Sequence, residues 1–210
     1  MKHLVVFLFL LFLYQNTVAQ ELLLHPNRGQ WDNEILYSMD LSQGHLFVDS
    51  NGFTFSLNDA ISHSHDHQEE EKVACQVVKM HFYGNTWSGQ KTEEKESQSY
   101  RNYYLGSDSS KWKSGIKSFQ EVRLNDFYAG IDLLMDATSS KMKYSFEVAA
   151  GVDPSKIRYG ITGSDNIEIQ DGSIIIATRF GNIIEEKPVA WTEKEGKKVF
   201  VAVDYVIDEQ

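Results

Sequence analysis

Apolar and polar residues alternate with a period of two through most of this chain, the spacing of a sheet with one face buried and one wet. Met142, Tyr144, Phe146 and Val148 alternate with Lys143, Ser145 and Glu147, and Val199, Val201, Val203, Tyr205 and Ile207 share one side of a final strand. Turn residues punctuate these runs. Ser50-Asn51-Gly52 divides Leu46-Phe47-Val48 from Phe53-Thr54-Phe55, and Asp171-Gly172 divides Ile167-Glu168-Ile169 from Ile174-Ile175-Ile176. Glu195-Gly196-Lys197 joins Val189-Ala190-Trp191 to the last strand. Such turns tolerate the positive φ of tight hairpins, so each predicts a hairpin. Helical spacing is thin: Trp112, Ile116, Phe119 and Val122 make at most a short turn, interrupted by Gly115. Asp153-Pro154-Ser155 has the cap and first-turn proline of a single helical turn before Ile157. Many short strands joined by Gly and Asn turns predict an all-β, antiparallel β-sandwich with at most one or two short helical turns.

Three stretches depart from this pattern. Lys2 leads into an unbroken apolar run from Leu4 to Tyr14, followed by Thr17-Val18-Ala19, which is the layout of an export signal cleaved before Gln20. The run is too short to anchor in a bilayer, whose core takes about 20 apolar residues, so residues 1–19 predict Sec export and no membrane insertion of the mature chain. Residues 60–72, which include Ser62-His63-Ser64-His65-Asp66-His67, and residues 89–99, which include Gln90 to Ser97, are polar and of low complexity. Both read as mobile loops, because they lack the apolar surface that offsets ordering entropy. No repeat or linker divides residues 20–210, which read as a single β-sandwich domain.

Charge and cysteine content narrow the classes further. Removing Lys2 with the leader takes the formal net charge from −10 to −11. The basic residues are scattered among carboxylates, which argues against nucleic acid and against an anionic lipid surface. Cys75 is the sole cysteine, so no internal disulfide can form and stability rests on packing. Within Val73-Ala74-Cys75-Gln76-Val77-Val78 it is expected to be a small buried hydrophobe.

A series of short motifs runs in order from residue 27 to 191. They are Asn27-Arg28-Gly29-Gln30-Trp31, Gly44-His45-Leu46-Phe47-Val48 with Asn51-Gly52-Phe53, Asn102-Tyr103-Tyr104-Leu105-Gly106 with Ser110-Lys111-Trp112, and Tyr128-Ala129-Gly130-Ile131-Asp132-Leu133. Lys143-Tyr144-Ser145-Phe146-Glu147-Val148 then runs into Gly151-Val152-Asp153-Pro154-Ser155-Lys156-Ile157, and Gly181-Asn182-Ile183-Ile184-Glu185-Glu186-Lys187-Pro188 closes the series. In order and spacing they resemble an N-terminal domain of unknown function of large secreted proteins of Bacteroidetes-type bacteria. There it stands ahead of SBBP-type β-propeller repeats, immunoglobulin-like modules and a gliding-motility-associated sorting domain. Ala129 and Ala150 stand where the resemblance implies proline, which loosens two turns. The resemblance implies no catalytic residues, and the downstream modules it implies are missing from this sequence, which ends at Gln210.

Candidate chemistry is sparse. His63, His65 and His67 could ligate Zn²⁺ or Cu²⁺, since alternate strand positions place imidazoles on one face roughly 6.6 Å apart. Three would need a bent loop, and an exposed His/Glu tract is more often simply solvated. His45 and His81 read as packed or surface residues. Asp132 with Asp136, or Glu185 with Glu186, could pair as acid and base in sugar hydrolysis, yet 30 acids in 210 residues make such pairs unavoidable. No hydrolase, P-loop or Cys-x-x-Cys motif is present, and no cofactor is expected. Trp31, Trp87, Trp112, Trp191, Tyr103 and Tyr104 could form a sugar- or protein-binding patch, with Trp87, Trp112 and Tyr103 the foremost candidates and Trp87 the one expected to be exposed. The expectation is a secreted or cell-surface, non-catalytic structural or interaction module. Its partners would be other modules of the same polypeptide, a protein or a glycan. A carbohydrate-binding module is the alternative, with a metal-binding or hydrolytic domain behind it.

Overall fold

The computed structural model describes residues 22–58, 74–138 and 141–208. The export leader of residues 1–19 and His63, His65 and His67 lie outside the described residues. The rest is built from strands: β1 (His25–Pro26), β2 (Ile35–Leu41), β3 (Gly44–Asp49), β4 (Gly52–Asn58), β5 (Cys75–Phe82), β6 (Lys91–Tyr103), β7 (Lys113–Tyr128) and β8 (Ile131–Asp136). There follow β9 (Lys143–Val148), β10 (Tyr159–Thr162), β11 (Asn166–Gln170), β12 (Ser173–Thr178), β13 (Gly181–Glu185), β14 (Ala190–Lys194) and β15 (Lys197–Val201). Among the described residues the helical pieces are two 3-10 turns, Ser109–Lys111 and Pro154–Lys156. The second sits where proline chemistry predicts it, with the Asp153 carboxylate accepting from Ser155 N–H.

All ladders are antiparallel. A six-stranded sheet has the order β1-β2-β3-β4-β5-β10, and a four-stranded sheet the order β6-β7-β8-β9. They bury Tyr37, Met39, Leu46, Val48, Phe53, Met80 and Phe82 of the first against Val122, Leu124, Phe127, Ile131, Leu133 and Met135 of the second. A three-stranded sheet, β11-β12-β13, adds a smaller core in which Ile174 and Ile176 pack on Val78. Strand β5 therefore serves both cores with alternate residues Val78, Met80 and Phe82. Phe82 is the hub, with Phe53, Phe127, Tyr144, Phe146 and Tyr159 ring centroids 5.5–6.2 Å away. The sheets are stitched at one corner, where Leu24 exchanges backbone hydrogen bonds with Phe119 of β7 (2.8 and 2.9 Å) just before β1 pairs with β2.

All three predicted hairpins form. In Asp171-Gly172 (φ 51° and 82°) and Glu195-Gly196 (φ 51° and 71°) both central residues take the left-handed conformation that matches strand twist.

Four expectations are corrected. From Lys91 on, the polar stretch 89–99 belongs to β6, whose ladder runs from Lys91↔Leu124 to Tyr103↔Lys113 with two irregularities. Backbone pairing to β7 supplies the order that side chains cannot, and ion pairs (Arg28–Glu93 at 2.9 Å, Lys91–Glu93 at 3.4 Å, Lys95 with Glu121) engage Lys91, Glu93 and Lys95. Cys75 is exposed, because inward Val78, Met80 and Phe82 set the phase of β5 and turn Cys75, Val77, Lys79 and His81 outward. Trp112, Ile116, Phe119 and Val122 lead into and along the extended β7 and form no helical stripe. The expected final strand through Ile207 stops at Val201 as β15 and lacks a core, with Val199 42% and Val201 52% exposed, while Tyr205 beyond it packs against the smaller core instead.

Candidate functional site

Where β6 turns back into β7, the chain builds an aromatic loop tip. The connection is pinned by the 3-10 turn 109–111, whose Asp108 carboxylate accepts from Ser110 N (3.0 Å) and Ser110 Oγ (2.6 Å). The Trp112 indole N–H donates to Gly106 O at 3.2 Å, holding the ring beside the loop. Tyr104 meets Trp112 edge to face, centroids 5.7 Å apart and planes at 78°. Tyr104 (60%), Leu105 (56%) and Trp112 (44%) are all exposed, so the tip presents contiguous apolar surface.

Alternation along β6 turns the preceding residues the other way. Tyr103 is half-buried edge-on against Trp31 (5.2 Å), which in turn meets Phe47 (6.5 Å), and His45 lies 6.0 Å beyond Phe47. The Tyr103 hydroxyl is buried beside the Arg101 guanidinium, whose charge partly offsets the upward push of burial on its pKa. Two residues back, Arg101 donates to Asp40 at 2.6 Å, while His45 Nδ1 lies 3.2 Å from the other Asp40 oxygen. Burial pushes the Asp40 carboxyl up, but the hydrogen bond and charge of Arg101 more than offset it and hold it below the ordinary carboxylate range. This ion pair ties β6 to β2 directly behind the loop tip.

The sequence candidates are only partly brought together. Trp112 and Tyr103 flank one loop, but Trp87 precedes the opposite end of β6, a 13-residue strand spanning ~40 Å. Trp87 is also not the exposed residue expected: it is half-buried against the main core, its indole N–H donating to Gln90 O at 2.8 Å. The acid pairs do not converge. Asp132 and Asp136 lie four residues apart on β8, about 13 Å. Asp132 accepts from Arg123 (2.9 Å) and Asp126 N (2.7 Å), and Asp136 from Thr138 N (2.8 Å). Glu185 accepts the Tyr205 hydroxyl (3.0 Å), while Glu186 pairs with Lys141 (2.7 Å). His81 is exposed against Tyr83. Among the described residues no three His, Cys, Asp or Glu side chains are grouped to hold a metal ion.

One pair was not legible from sequence: His25 Nδ1 and Ser118 Oγ lie 2.6 Å apart, 93 residues distant in the chain. The distance is that of a nucleophile and its base, but His25 and Ser118 are 2% and 1% exposed, and no substrate reaches them. Burial, followed by the nearby Arg101 charge, lowers the His25 pKa to about 4, so the ring is neutral at pH 7. It is a cross-sheet hydrogen bond at the β1 corner.

These features define a layered antiparallel all-β domain with an aromatic loop tip and tied-up carboxylates. The chain belongs to the family described as a domain of unknown function, DUF7948, which it matches over residues 24–210. No curated protein and no solved structure matches it.

Proposed function

We propose that this chain is a non-catalytic interaction module of an exported protein and that the Tyr104–Leu105–Trp112 tip is where it meets its partner. The observation that carries the reading is a rigidly pinned, exposed aromatic cluster at the end of a long ladder, which suits contact at low entropic cost. The acids that a hydrolytic role would use are engaged in ion pairs and hydrogen bonds instead. The leader of residues 1–19 supports export to the cell surface or medium. No helix among the described residues is long and apolar enough to cross a membrane. The partner envisaged is another module of the same polypeptide or a second protein.

Carbohydrate binding is the second reading, favoured by the same exposed Trp112 and Tyr104. Their edge-to-face packing offers a ridge in place of a flat stacking platform, which places it behind protein recognition. A glycan array on residues 20–210, with Trp112→Ala and Tyr104→Ala alongside, separates the two. Selective hits lost in both variants would reverse the ranking. Module–module binding weakened by both variants, with a blank array, supports the protein reading, and binding indifferent to both removes the tip from either role.

A further inference from the structure

Among the described residues the β14–β15 hairpin pairs only with itself, although a two-stranded sheet alone is at best marginally stable. It is apolar on both faces. Trp191 and Phe200 stand opposite each other on one, and Ala190, Val199 and Val201 lie on the other. Phe200 is 70% exposed, and none of these side chains belongs to either core. The turn fixes which backbone groups are free. A two-residue Glu195-Gly196 turn makes Lys194↔Lys197 a hydrogen-bonded pair, so Val199 and Val201 bond inward to β14 while the N–H and C=O of Lys198 and Phe200 point out.

We infer that the outer edge of β15 pairs antiparallel with the β15 of a second copy, about a two-fold axis at Val199. Three features select this occupant and register. Val199-Phe200-Val201 is a continuous apolar edge, whereas Trp191 on β14 is flanked by Thr192 and followed by Glu193. Centred on Val199, the pairing sets Lys198 opposite the partner's Phe200 and Lys197 opposite the partner's Val201, so no lysine directly faces a lysine. The Lys198 ammonium is also drawn inward, 4.1 Å over its own Trp191 ring. In a chain of net charge −10, the hairpin carries Lys194, Lys197 and Lys198 against Glu193 and Glu195, a local balance of +1. Two acidic copies therefore approach here with least repulsion. The resulting sheet, β14-β15 followed by the partner's β15-β14, has two-fold symmetry and closes. By contrast, β14-on-β15 pairing would leave a free edge at each step.

Cross-linking tests both the pairing and its register, independently of the loop-tip reading. Val199 would face itself across a non-hydrogen-bonded pair with Cα atoms about 4.5 Å apart, within disulfide reach. Thr192 of the two copies would lie three strand spacings apart, about 14 Å. With the exposed native thiol removed (Cys75→Ser), Val199→Cys is expected to give a disulfide-linked dimer under mild oxidation and Thr192→Cys is not. Lys198→Pro removes an outward N–H without touching the hairpin's own ladder, and should weaken the dimer about tenfold or more in a sedimentation dilution series. Diluted to where both are monomeric, its circular dichroism melt should match that of the parent. A monomer at every concentration, equal cross-linking at both sites, or a dimer indifferent to Lys198→Pro with hairpin intact would overturn the inference.

Discussion

Protonating His25 is expected to unlock the corner where the two main sheets are stitched. The ring is 2% exposed and bonded to Ser118, and burial holds its pKa at about 4 in place of 6.5. Arg101 and His45 push in the same direction as burial, and Asp40 opposes them. Because the folded state resists the proton and the unfolded chain accepts it, His25's contribution is full above pH 6.5 and drains away as pH falls toward about 4. A displacement of about 2.5 pH units at 1.36 kcal/mol each comes to roughly 3 kcal/mol. Against a typical domain stability of about 5–15 kcal/mol that loss is large. Urea unfolding of the wild type and His25→Asn near pH 7 and near pH 4 measures it, since asparagine keeps a hydrogen-bonding amide near the Nδ1 position and does not titrate. Wild-type stability should fall by roughly 3 kcal/mol more than that of the variant over this interval. Profiles that stay parallel within about 0.5 kcal/mol would refute the reasoning.

Phe82→Ala removes the ring on which five aromatic neighbours converge and should cost roughly 3–5 kcal/mol in chemical unfolding; a loss below about 1 kcal/mol would mean the site collapses to fill the cavity. Gly52→Ala would place a Cβ 2.1 Å from the Met80 carbonyl oxygen at φ +154°, so β4 must part from β5 there. The expected cost is on the order of 3 kcal/mol, and an unchanged melting temperature would contradict it. Burial raises the Glu185 carboxyl above its ordinary range despite hydroxyl donors from Tyr144 and Tyr205. Its stabilisation is thus present at low pH and lost as pH rises through the folded value, so Glu185→Gln should raise the melting temperature in neutral buffer and not in acid. The opposite ordering would show that the charged carboxylate is the favoured form.

Much of the fold was legible because strand periodicity and turn chemistry are local. The Asp171-Gly172 and Glu195-Gly196 turns name their own conformation, and the Asp153-Pro154 cap announces a helical turn within three residues. The polar run 89–99 was misread because its order comes from β7, about thirty residues downstream, and composition is silent about a neighbour. Cys75 was misplaced for a related reason. An apolar run with no alternation leaves the phase of a strand open, and Phe82, seven residues on, sets it. Of the aromatic candidates, Trp112 and Tyr103 fell on one loop because a hairpin brings its own ends together. Nothing in the sequence could tell that β6 runs for 13 residues and separates Trp87, before its start, from the loop at its end.

By itself, then, the sequence determined the strand character, the hairpins and the acidic, disulfide-free composition, since each follows from residues within a few positions of one another. Only the tertiary structure decided which face of each strand is wet, which aromatics meet, and that His25 finds Ser118. Those outcomes depend on sheet-to-sheet packing between segments far apart in the chain, 93 residues in the case of His25 and Ser118, where a one-residue change of register reverses every side chain.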